Sequence, residues 1–194
     1  MERRNIKNLR IIKVLLGNPN RNLTKYEIAK RAGCTKPWVI QFLRKLEGKK
    51  LVRKTKVLKF DELIDHYIEI LPKLKYFDFF VQDPISFLKK SKLDYVLTTY
   101  AAENYISHTL LPSRYDVYIE ENDFNKWKSL ILKNGLLGKG NLRIIIPNDK
   151  FILKEKQVIK GINIVSMPQL LIDLKREGGV CLEAYNILVK KYVQ

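Results

Sequence analysis

Residues 23–54, LTKYEIAKRAGCTKPWVIQFLRKLEGKKLVRK, contain two short helical patterns separated by a short turn. In the first pattern, Thr24 stands three residues before Glu27, a capping box that satisfies two free backbone amides at a helix start. Gly33 then provides a natural carboxyl-terminal cap. In the second pattern, Pro37 suits the first helical turn, where its missing amide costs nothing. The short turn between the two patterns has helix-turn-helix spacing.

The flanking residues extend this pattern on both sides. Apolar residues recur at helical spacing from Ile6 to Leu16, and Gly17 begins a turn-forming cluster that ends this helix. On the other side, residues 50–60 alternate basic and apolar side chains, which predicts two strands joined by a tight turn. Three helices followed by a basic hairpin form a winged helix. The sequence therefore predicts a winged-helix domain over residues 1–60, resembling the winged helix-turn-helix of bacterial and archaeal transcription regulators.

The positive charge of the chain is concentrated in this same region. The 194 residues include 37 Lys+Arg and 20 Asp+Glu, a net charge of +17. Residues 1–60 hold 18 basic and 3 acidic residues, a balance of +15, whereas residues 61–194 hold 19 and 17, a balance of +2. A generally basic, solvated surface would spread this excess along the whole chain. The concentration predicts a polyanionic partner, and double-stranded DNA is the favoured one.

The third helix is the one expected to enter the major groove. Val39, Leu43 and Leu46 define its buried face, so Gln41 and Arg44 face outward. Gln41 can pair bidentately with adenine and Arg44 with guanine, whereas residues at the helix start and in the hairpin are expected at phosphates or in the minor groove. The predicted DNA-binding residues are Thr35, Lys36, Gln41, Arg44, Lys45, Lys49, Lys50, Arg53, Lys54 and Lys56.

Three further apolar residues leave the third helix apolar on more than one side. These are Trp38, Ile40 and Phe42. Packing against a second domain is the expected role for some of them. A contact between Ile40 and a thymine methyl group is the alternative.

The remaining residues form a second region with interleaved patterns. A helix that begins at Asp61 and ends before Pro72 predicts a connector over residues 61–75. Strand and helix patterns then alternate over residues 76–194, which predicts an α/β (α+β) regulatory domain with a mixed sheet. Strands are expected at 76–81, 94–98, 116–120, 142–146 and 162–165, and helices at 85–90, 101–108, 124–133, 168–175 and 182–192.

Sequence motifs for catalysis, metal binding and membrane insertion are missing. There is no nucleophile elbow, phosphate-binding Gly-rich loop or dinucleotide turn, and Cys34, Cys181, His66 and His108 lack metal-ligand spacing. No apolar run is long enough for a transmembrane helix, and the charged residues 1–10 do not form a signal peptide. We therefore expect a reduced, cytoplasmic protein that is not an enzyme and uses no cofactor, metal or membrane.

The segments YVLTTYAAENY and SRYDVYIE resemble the frame of the nucleotidyltransferase superfamily. That superfamily has a small-residue turn after one strand, and a later strand with two carboxylates that hold two metal ions. Here Thr98 and Thr99 stand at the turn, and Asp116 fits the first carboxylate, but Tyr118 occupies the second position. The resemblance implies a distantly related fold with a broken metal site. Glu120, on the same strand face, is the one residue that could compensate.

A second resemblance covers most of the chain. The winged helix followed by DYVLTTYAAENYI, RYDVYI, LRIIIPND and GINIVSMPQLLIDLKREGGVCLEAYNIL is similar to AbiEi-type antitoxins of abortive-infection (type IV toxin–antitoxin) systems. It implies DNA binding at the cognate promoter and a second domain that neutralises a nucleotidyltransferase toxin. Ser166, Gln169 and Asp173 match the late segment, and helix capping and surface polarity are their favoured roles.

These patterns together predict a sequence-specific transcriptional regulator of the antitoxin-type autorepressor class. Residues 76–194 are expected to bind a cognate toxin or another protein. A homodimer is expected, because one winged helix covers a single half-site. Two alternatives stay open: a nucleotidyltransferase-like enzyme, and a DNA-binding protein of replication or plasmid maintenance.

Overall fold

The computed structural model describes the backbone of residues 2–193 and the side chains of residues 5–193. The chain divides into two compact units, one formed by Met1–Pro72 with Lys191–Gln194 and the other by Lys73–Lys190. The described residues form ten α-helices and nine strands, seven of which make one mixed sheet. The predicted mixed α/β class is therefore confirmed. None of the described helices is both long and apolar enough to cross a membrane.

The first unit consists of helices and one short hairpin. In chain order its elements are α1 (Glu2–Leu16), α2 (Lys25–Ala32), α3 (Lys36–Gly48), β1 (Val52–Arg53), β2 (Lys56–Val57) and α4 (Phe60–Ile70). Helix α1 contacts both α2 and α4, and α2 contacts α3. The core side chains Ile12, Ile28, Val39, Leu46 and Leu63 come from all four helices and are completely buried.

The start and end of α2 follow the local sequence signals. Thr24 Oγ1 accepts a hydrogen bond from Glu27 N–H at 3.2 Å, and the Glu27 carboxylate accepts one from Thr24 N–H at 2.8 Å. The predicted capping box is thus confirmed. These hydrogen bonds from Thr24 lower the pKa of the Glu27 carboxyl. Gly33 adopts φ 61°, the left-handed conformation expected of a helix cap.

The hairpin that follows α3 is shorter than the sequence suggests. Its antiparallel strands pair Val52 with Val57 and Arg53 with Lys56, leaving Lys54 and Thr55 as the turn. Lys54 has φ 58°, which favours glycine. Glu47 on α3 accepts a hydrogen bond from Lys54 N–H at 2.6 Å and so fixes the turn against the helix.

The chain terminus returns to the first unit after the second unit is complete. The Tyr192 ring lies 6.1 Å from the Phe60 ring, centroid to centroid, and Asn20 Nδ2 donates to the Val193 carbonyl at 3.0 Å. Helix α4, over which a connector was expected, lies within this unit. The first unit therefore includes both α4 and the last turn of the carboxyl-terminal helix.

The second unit contains the large sheet. Its elements are β3 (Lys75–Val81), α5 (Pro84–Lys90), β4 (Val96–Thr98), α6 (Thr99–Ser107), β5 (Tyr115–Tyr118), α7 (Phe124–Leu132), β6 (Gly135–Leu137), β7 (Leu142–Ile146), α8 (Phe151–Lys154), β8 (Gln157–Ile159), β9 (Ile162–Ile164), α9 (Met167–Glu177) and α10 (Val180–Val193). The strand order is β6-β3-β7-β5-β4-β9-β8. Pairs β5–β7 and β4–β9 are parallel and the others antiparallel.

Every helix and strand expected in residues 76–194 is present, with ends displaced by a few residues. Strands β6 and β8 and helix α8 were not predicted. Each is only three or four residues long, too short to show a period in the sequence. Pairing with β3 and β9, respectively, makes β6 and β8 strands.

Helices cover both faces of the sheet. Tyr118 on β5 donates a hydrogen bond to Asp173 on α9, which places α9 on the face that carries Tyr118. Phe77 points to the opposite face, because residues alternate along a strand and the adjacent Asp78 belongs to the same cross-strand row as Asp116. The Phe77 ring contacts the ring of Phe124 at the start of α7, with centroids 4.3 Å apart, so α7 covers that face.

Candidate nucleic-acid interface and buried polar network

Helix α3 has one buried and one solvent-facing side. Val39, Phe42, Leu43 and Leu46 are buried, which confirms the predicted apolar face and adds Phe42 to it. The opposite side is exposed and carries amide and basic groups. The only acidic residue of α3 is Glu47, whose carboxylate holds the Lys54 amide.

All ten predicted DNA-binding residues are exposed in the structure. Eight of the basic and amide side chains make no hydrogen bond or ion pair to any described residue: those of Lys36, Gln41, Arg44, Lys45, Lys50, Arg53, Lys54 and Lys56. Thr35 occupies the cap position of α3, but its side chain makes no capping hydrogen bond. Eight basic and amide side chains on α3, the hairpin and the segment between them thus have no partner within the described part of the chain.

Lys49 is the predicted DNA-binding residue whose charge already has a partner. Its Nζ atom lies 3.3 Å from His66 Nδ1 and 3.8 Å from the Glu69 carboxylate on α4. His66 also contacts Glu69, at 2.9 Å. Lys49 and the hydrogen bond from His66 lower the pKa of the Glu69 carboxyl, with the hydrogen bond as the larger cause. The amino group of Lys49 is therefore less available to DNA than those of its neighbours.

The structure explains the extra apolar residues of α3 within the first unit. Trp38 Nε1 donates to Asn8 Oδ1 at 3.0 Å, and Lys7 Nζ lies 5.2 Å from the centre of the Trp38 ring. Trp38 therefore packs on α1, within the first unit. Ile40 is half-buried.

The second unit carries a row of polar residues across four strands. Sheet register places Asp78 on β3, Arg143 on β7, Asp116 on β5 and Thr98 on β4 side by side on one face. Arg143 forms two hydrogen bonds with the Asp78 carboxylate, of 2.6 and 3.0 Å. Its guanidinium lies 4.2 Å from the centre of the Tyr76 ring. The hydrogen bond with Asp78 raises the pKa of Arg143.

Asp116 is buried and held by a second arginine. Arg114 Nε and Nη2 donate to its two carboxylate oxygens at 2.5 and 2.9 Å, and Thr99 Oγ1 donates to it as well. Arg114 also donates to Glu177 on α9 at 2.8 Å. Burial lowers the pKa of Arg114, but its hydrogen bonds to Asp116 and Glu177 outweigh burial and raise it. The carboxylate that resembled a metal ligand is thus already neutralised by a guanidinium.

The residues nearest Asp116 do not complete a metal site. Tyr118 is directed to Asp173, and Glu120 forms an ion pair of 2.8 Å with Lys150. Thr99 has φ 48°, a left-handed conformation that is costly for a β-branched residue. Within the described residues, no group of three or more His, Cys, Asp and Glu side chains is arranged to bind a metal ion.

Asp173 is the centre of a buried hydrogen-bond network. Its carboxylate accepts hydrogen bonds from Thr98 at 2.7 Å, Tyr118 at 2.9 Å and Gln169 at 3.1 Å, and Arg176 lies 3.2 Å away. Burial raises the pKa of Asp173, although these partners favour its charged form. Burial is also the main cause that raises the pKa of Tyr118.

Surface roles were favoured for Ser166, Gln169 and Asp173, and they are wrong at two of these three positions. Gln169 is 2% exposed and Asp173 is completely buried. Ser166 precedes α9 at the cap position but makes no capping hydrogen bond through its side chain. The spacing of Gln169 and Asp173, four residues apart within an apolar helical run, is the signal that could have predicted a buried pair on one helix face.

The cysteines lie in different surroundings. Cys34 is half-buried in the turn between α2 and α3, and burial raises the pKa of its thiol. Cys181 on α10 is completely buried, and burial raises the pKa of its thiol to about 11. Both thiols therefore stay protonated near neutral pH, which is unfavourable for nucleophilic chemistry.

No protein-family model matches the chain, and no curated protein or solved structure matches it.

Proposed function

We propose that the chain is a sequence-specific regulator of transcription that binds double-stranded DNA. In this proposal α2 and α3 form a helix-turn-helix, and β1 with β2 forms the wing of a winged helix. The observation that carries the proposal is the exposed side of α3 and the hairpin, where eight basic and amide side chains have no partner among the described residues. Unpaired cations on an exposed helix face and hairpin are suited to neutralise DNA phosphates.

The distribution of charge between the two units supports this proposal. The first unit holds 19 basic and 7 acidic residues, a net charge of +12, even though it includes the acidic helix α4. The second unit holds 18 basic and 13 acidic residues, a net charge of +5. A polyanion would therefore associate preferentially with the first unit.

Helix α3 also carries groups suited to reading bases. Gln41 and Arg44 lie on its exposed side, and an amide and a guanidinium pair bidentately with adenine and guanine, respectively. Lys36 at the helix start, with Arg53 and Lys56 in the hairpin, would contact phosphates and fix the helix in the groove. Base preference would thus arise mainly from Gln41 and Arg44.

For the second unit we propose the role of an antitoxin-type partner domain. It would bind a cognate toxin or another protein, and the chain would repress its own promoter as a homodimer. This part of the proposal is based on the resemblance of residues 94–188 to AbiEi-type antitoxins. The network around Asp173 would give that domain a fixed shape rather than a chemical activity.

The two alternative functions receive less support from the site. A nucleotidyltransferase would need Asp116 to release Arg114 and Thr99 before its carboxylate could hold a metal ion. A replication or plasmid-maintenance protein would use the same basic surface but would prefer repeated origin sequences. The binding experiment below therefore includes an origin-type repeat sequence, which distinguishes the replication alternative from a transcriptional regulator.

The proposal is tested by fluorescence anisotropy of the full chain across a salt series. The DNA probes are the upstream region of the gene, an origin-type repeat sequence and random sequence. A double variant, Gln41→Ala with Arg44→Ala, is compared with Lys154→Ala, which removes an exposed charge from the second unit. We expect strong preference for the upstream region, reduced in the double variant and unchanged in Lys154→Ala.

Three outcomes would contradict the proposal. Equal, steeply salt-dependent binding to all probes would mean that the basic surface acts through electrostatics alone. Absence of binding would mean that the surface serves another partner. Preference for the repeat sequence over the upstream region would favour the replication alternative.

A further inference from the structure

One edge of the large sheet is both open and apolar. Strand β6 pairs with β3, and within the described part of the chain no strand pairs with its other edge. Phe80 and Leu136 are cross-strand partners and are 48% and 69% exposed, and Leu137 is 60% exposed. Tyr76, on the same face of β3 as Phe80, is 53% exposed. We call Tyr76, Phe80 and Leu136 the edge patch; Leu137 lies beside it on the opposite face of β6.

The backbone of β6 has hydrogen-bonding groups directed away from the sheet. Gly138 N–H donates to the Asp78 carbonyl at 3.1 Å. Hydrogen-bonded and non-hydrogen-bonded pairs alternate along an antiparallel ladder, so Leu137 and Gly135 occupy non-hydrogen-bonded positions opposite β3. Their N–H and C=O groups therefore face the open edge, where an added strand would pair with them.

The surroundings of this edge are basic. From Phe124 to Asn148 the chain contains no Asp or Glu and five basic residues. Arg143 and Lys126 are paired with Asp78 and Asp123. The exposed side chains without a partner in the described chain are those of Lys128, Lys133 and Lys139. Lys133 and Lys139 stand two residues from either end of β6, so the edge is flanked by positive charge.

These charges disfavour a second copy of the chain as the occupant. Antiparallel pairing of two β6 strands would set Gly135 of one copy against Leu137 of the other, since both carry outward backbone groups. That register places Lys133 of one copy opposite Lys139 of its partner, at both ends of the added pair. Like charges directly opposite are destabilising in a sheet, and lysines at open edges are a known protection against self-association.

A groove continues the edge beyond the start of β6. It has a volume of about 320 Å³ and lies beside Val81, the partner of Gly135, and Asn134. Phe87 and Lys90 also line it. Its lining combines apolar surface with one lysine and one aspartate, Asp83, whose carboxylate accepts a hydrogen bond from Ser86 N–H.

We propose that β6 and the edge patch bind an extended acidic segment of a partner protein, which adds a strand to the sheet. Apolar side chains of the segment cover Phe80 and Leu136, and its carboxylates meet Lys133 and Lys139. The exposed leucines favour a protein over a nucleic acid, because a nucleic acid offers no aliphatic side chains to cover them. The inference rests on the proposed function only in assigning a protein partner to the second unit.

The opposite edge of the sheet is a weaker candidate. Strand β8 exposes one large apolar side chain, that of Val158, which is 67% exposed. Glu155 precedes this strand, so its surroundings are not uniformly basic. The β6 edge alone combines several exposed apolar side chains with unpaired positive charge on both sides.

The experiment titrates the full chain into a fluorescein-labelled peptide of about ten alternating valine and glutamate residues. Matched probes alternate valine with lysine, or carry N-methyl groups that prevent strand pairing, and a random DNA duplex tests the other class of partner. The variants are Lys133→Glu with Lys139→Glu, which reverses the flanking charge, and Leu136→Ser. Lys154→Glu is the control, because it reverses a charge at an exposed position elsewhere in the unit.

We expect the valine–glutamate peptide to bind at least about tenfold more tightly than the valine–lysine peptide. The double variant should reverse this order, Leu136→Ser should weaken both peptides, and N-methylation should abolish binding. The proposal is overturned if the charge reversal leaves the order unchanged, if the peptides do not bind, or if only DNA binding responds to the double variant. The charge reversal is expected to exchange which of the two peptides binds more tightly. Loss of folding would weaken the binding of both peptides, so it cannot give the same result. The peptide titration uses no promoter DNA, so failure of the proposed DNA binding would be seen separately.

Discussion

The two units of this chain use a similar number of basic residues in opposite ways. The first unit has 19 basic residues and only 7 acidic ones. Most of the basic side chains on α3 and the hairpin have no partner in the described chain. The second unit has 18 basic residues and 13 acidic ones, and Arg114 and Arg143 each hold an aspartate through two hydrogen bonds. Paired charges fix the fold of a domain, whereas unpaired charges are available to an external partner.

Each unit contains one tryptophan, which allows the two to be followed separately. Trp38 lies in the first unit and Trp127 in the second. In a Trp38→Phe background, fluorescence reports on the second unit. In a Trp127→Phe background, it reports on the first.

The largest expected effect comes from breaking the pair between Arg114 and Asp116. Asp116 is 1% exposed, so Arg114→Ala leaves a buried carboxylate without its guanidinium. We expect the second unit to lose about 3–5 kcal/mol of unfolding free energy, the usual cost of removing one partner of a buried pair. Urea unfolding followed through Trp127 measures this loss.

The matched control removes an unpaired arginine from the first unit. Arg53→Ala should change the unfolding free energy, followed through Trp38, by no more than about 0.5 kcal/mol. Equal losses for Arg53→Ala and Arg114→Ala would show that the two units do not differ in how they use charge.

The next effect concerns the buried thiol of Cys181. Burial raises the pKa of this thiol to about 11. The folded chain therefore holds the thiol proton more tightly than the unfolded chain, whose cysteine titrates near about 8.5. The resulting stability is complete below about pH 8.5 and is lost as the pH rises through 11, a loss of about 3 kcal/mol.

Cys181→Ala removes this titration, so its unfolding free energy should fall less steeply between pH 9 and 11 than that of the parent chain. Urea unfolding through Trp127 at several pH values makes the comparison. Identical pH dependence in the two proteins would show that the thiol proton does not contribute to stability.

A smaller effect is expected when the exposed surface of α3 is changed. Arg44→Ala should cost about 1–3 kcal/mol of binding free energy at a preferred DNA site and relax base preference there. Anisotropy titrations on the preferred site and on variants with single base changes measure both effects. A uniform, salt-like loss on every sequence would mean that Arg44 contacts phosphate only.

The smallest effect is expected from a substitution that removes the charge of Lys54 and keeps the conformation of the hairpin turn. Lys54 has φ 58°, which glycine adopts without strain, so Lys54→Gly removes a charge without disturbing the turn. We expect weaker binding to every DNA sequence and a salt slope lower by about one, with unchanged or increased thermal stability. A salt slope equal to that of the parent chain would exclude Lys54 from the phosphate contacts.

Local signals in the sequence were sufficient for much of the first unit. The capping box of Thr24 and Glu27, the left-handed Gly33 and the apolar positions of α3 all follow from interactions within a few residues. The exposure of Gln41 and Arg44 follows from the same helical period. The hydrogen bond between Trp38 and Asn8 could not be predicted, because Asn8 lies 30 residues away on α1.

The second unit was predictable in its elements but not in its contacts. The order of strands and helices could be predicted, yet the hydrogen bonds of Asp173 with Thr98 and Tyr118 could not, because these partners lie far away in the sequence, on β4 and β5. Strand β6 was missed because three residues carry no period, and only pairing with β3 defines it.

The sequence by itself determined the mixed α/β class, the helices of the first unit and the concentration of positive charge near the amino terminus. Helix caps, periodicity and charge are short-range properties, and the chain displays them before it folds. The tertiary structure alone decided which charges are paired and which are free. Asp78, Arg143, Asp116 and Thr98 come together only through strand register, and the open edge of β6 exists only because the strand order places it last. Register and strand order depend on contacts between distant residues, and these form when the sheet assembles.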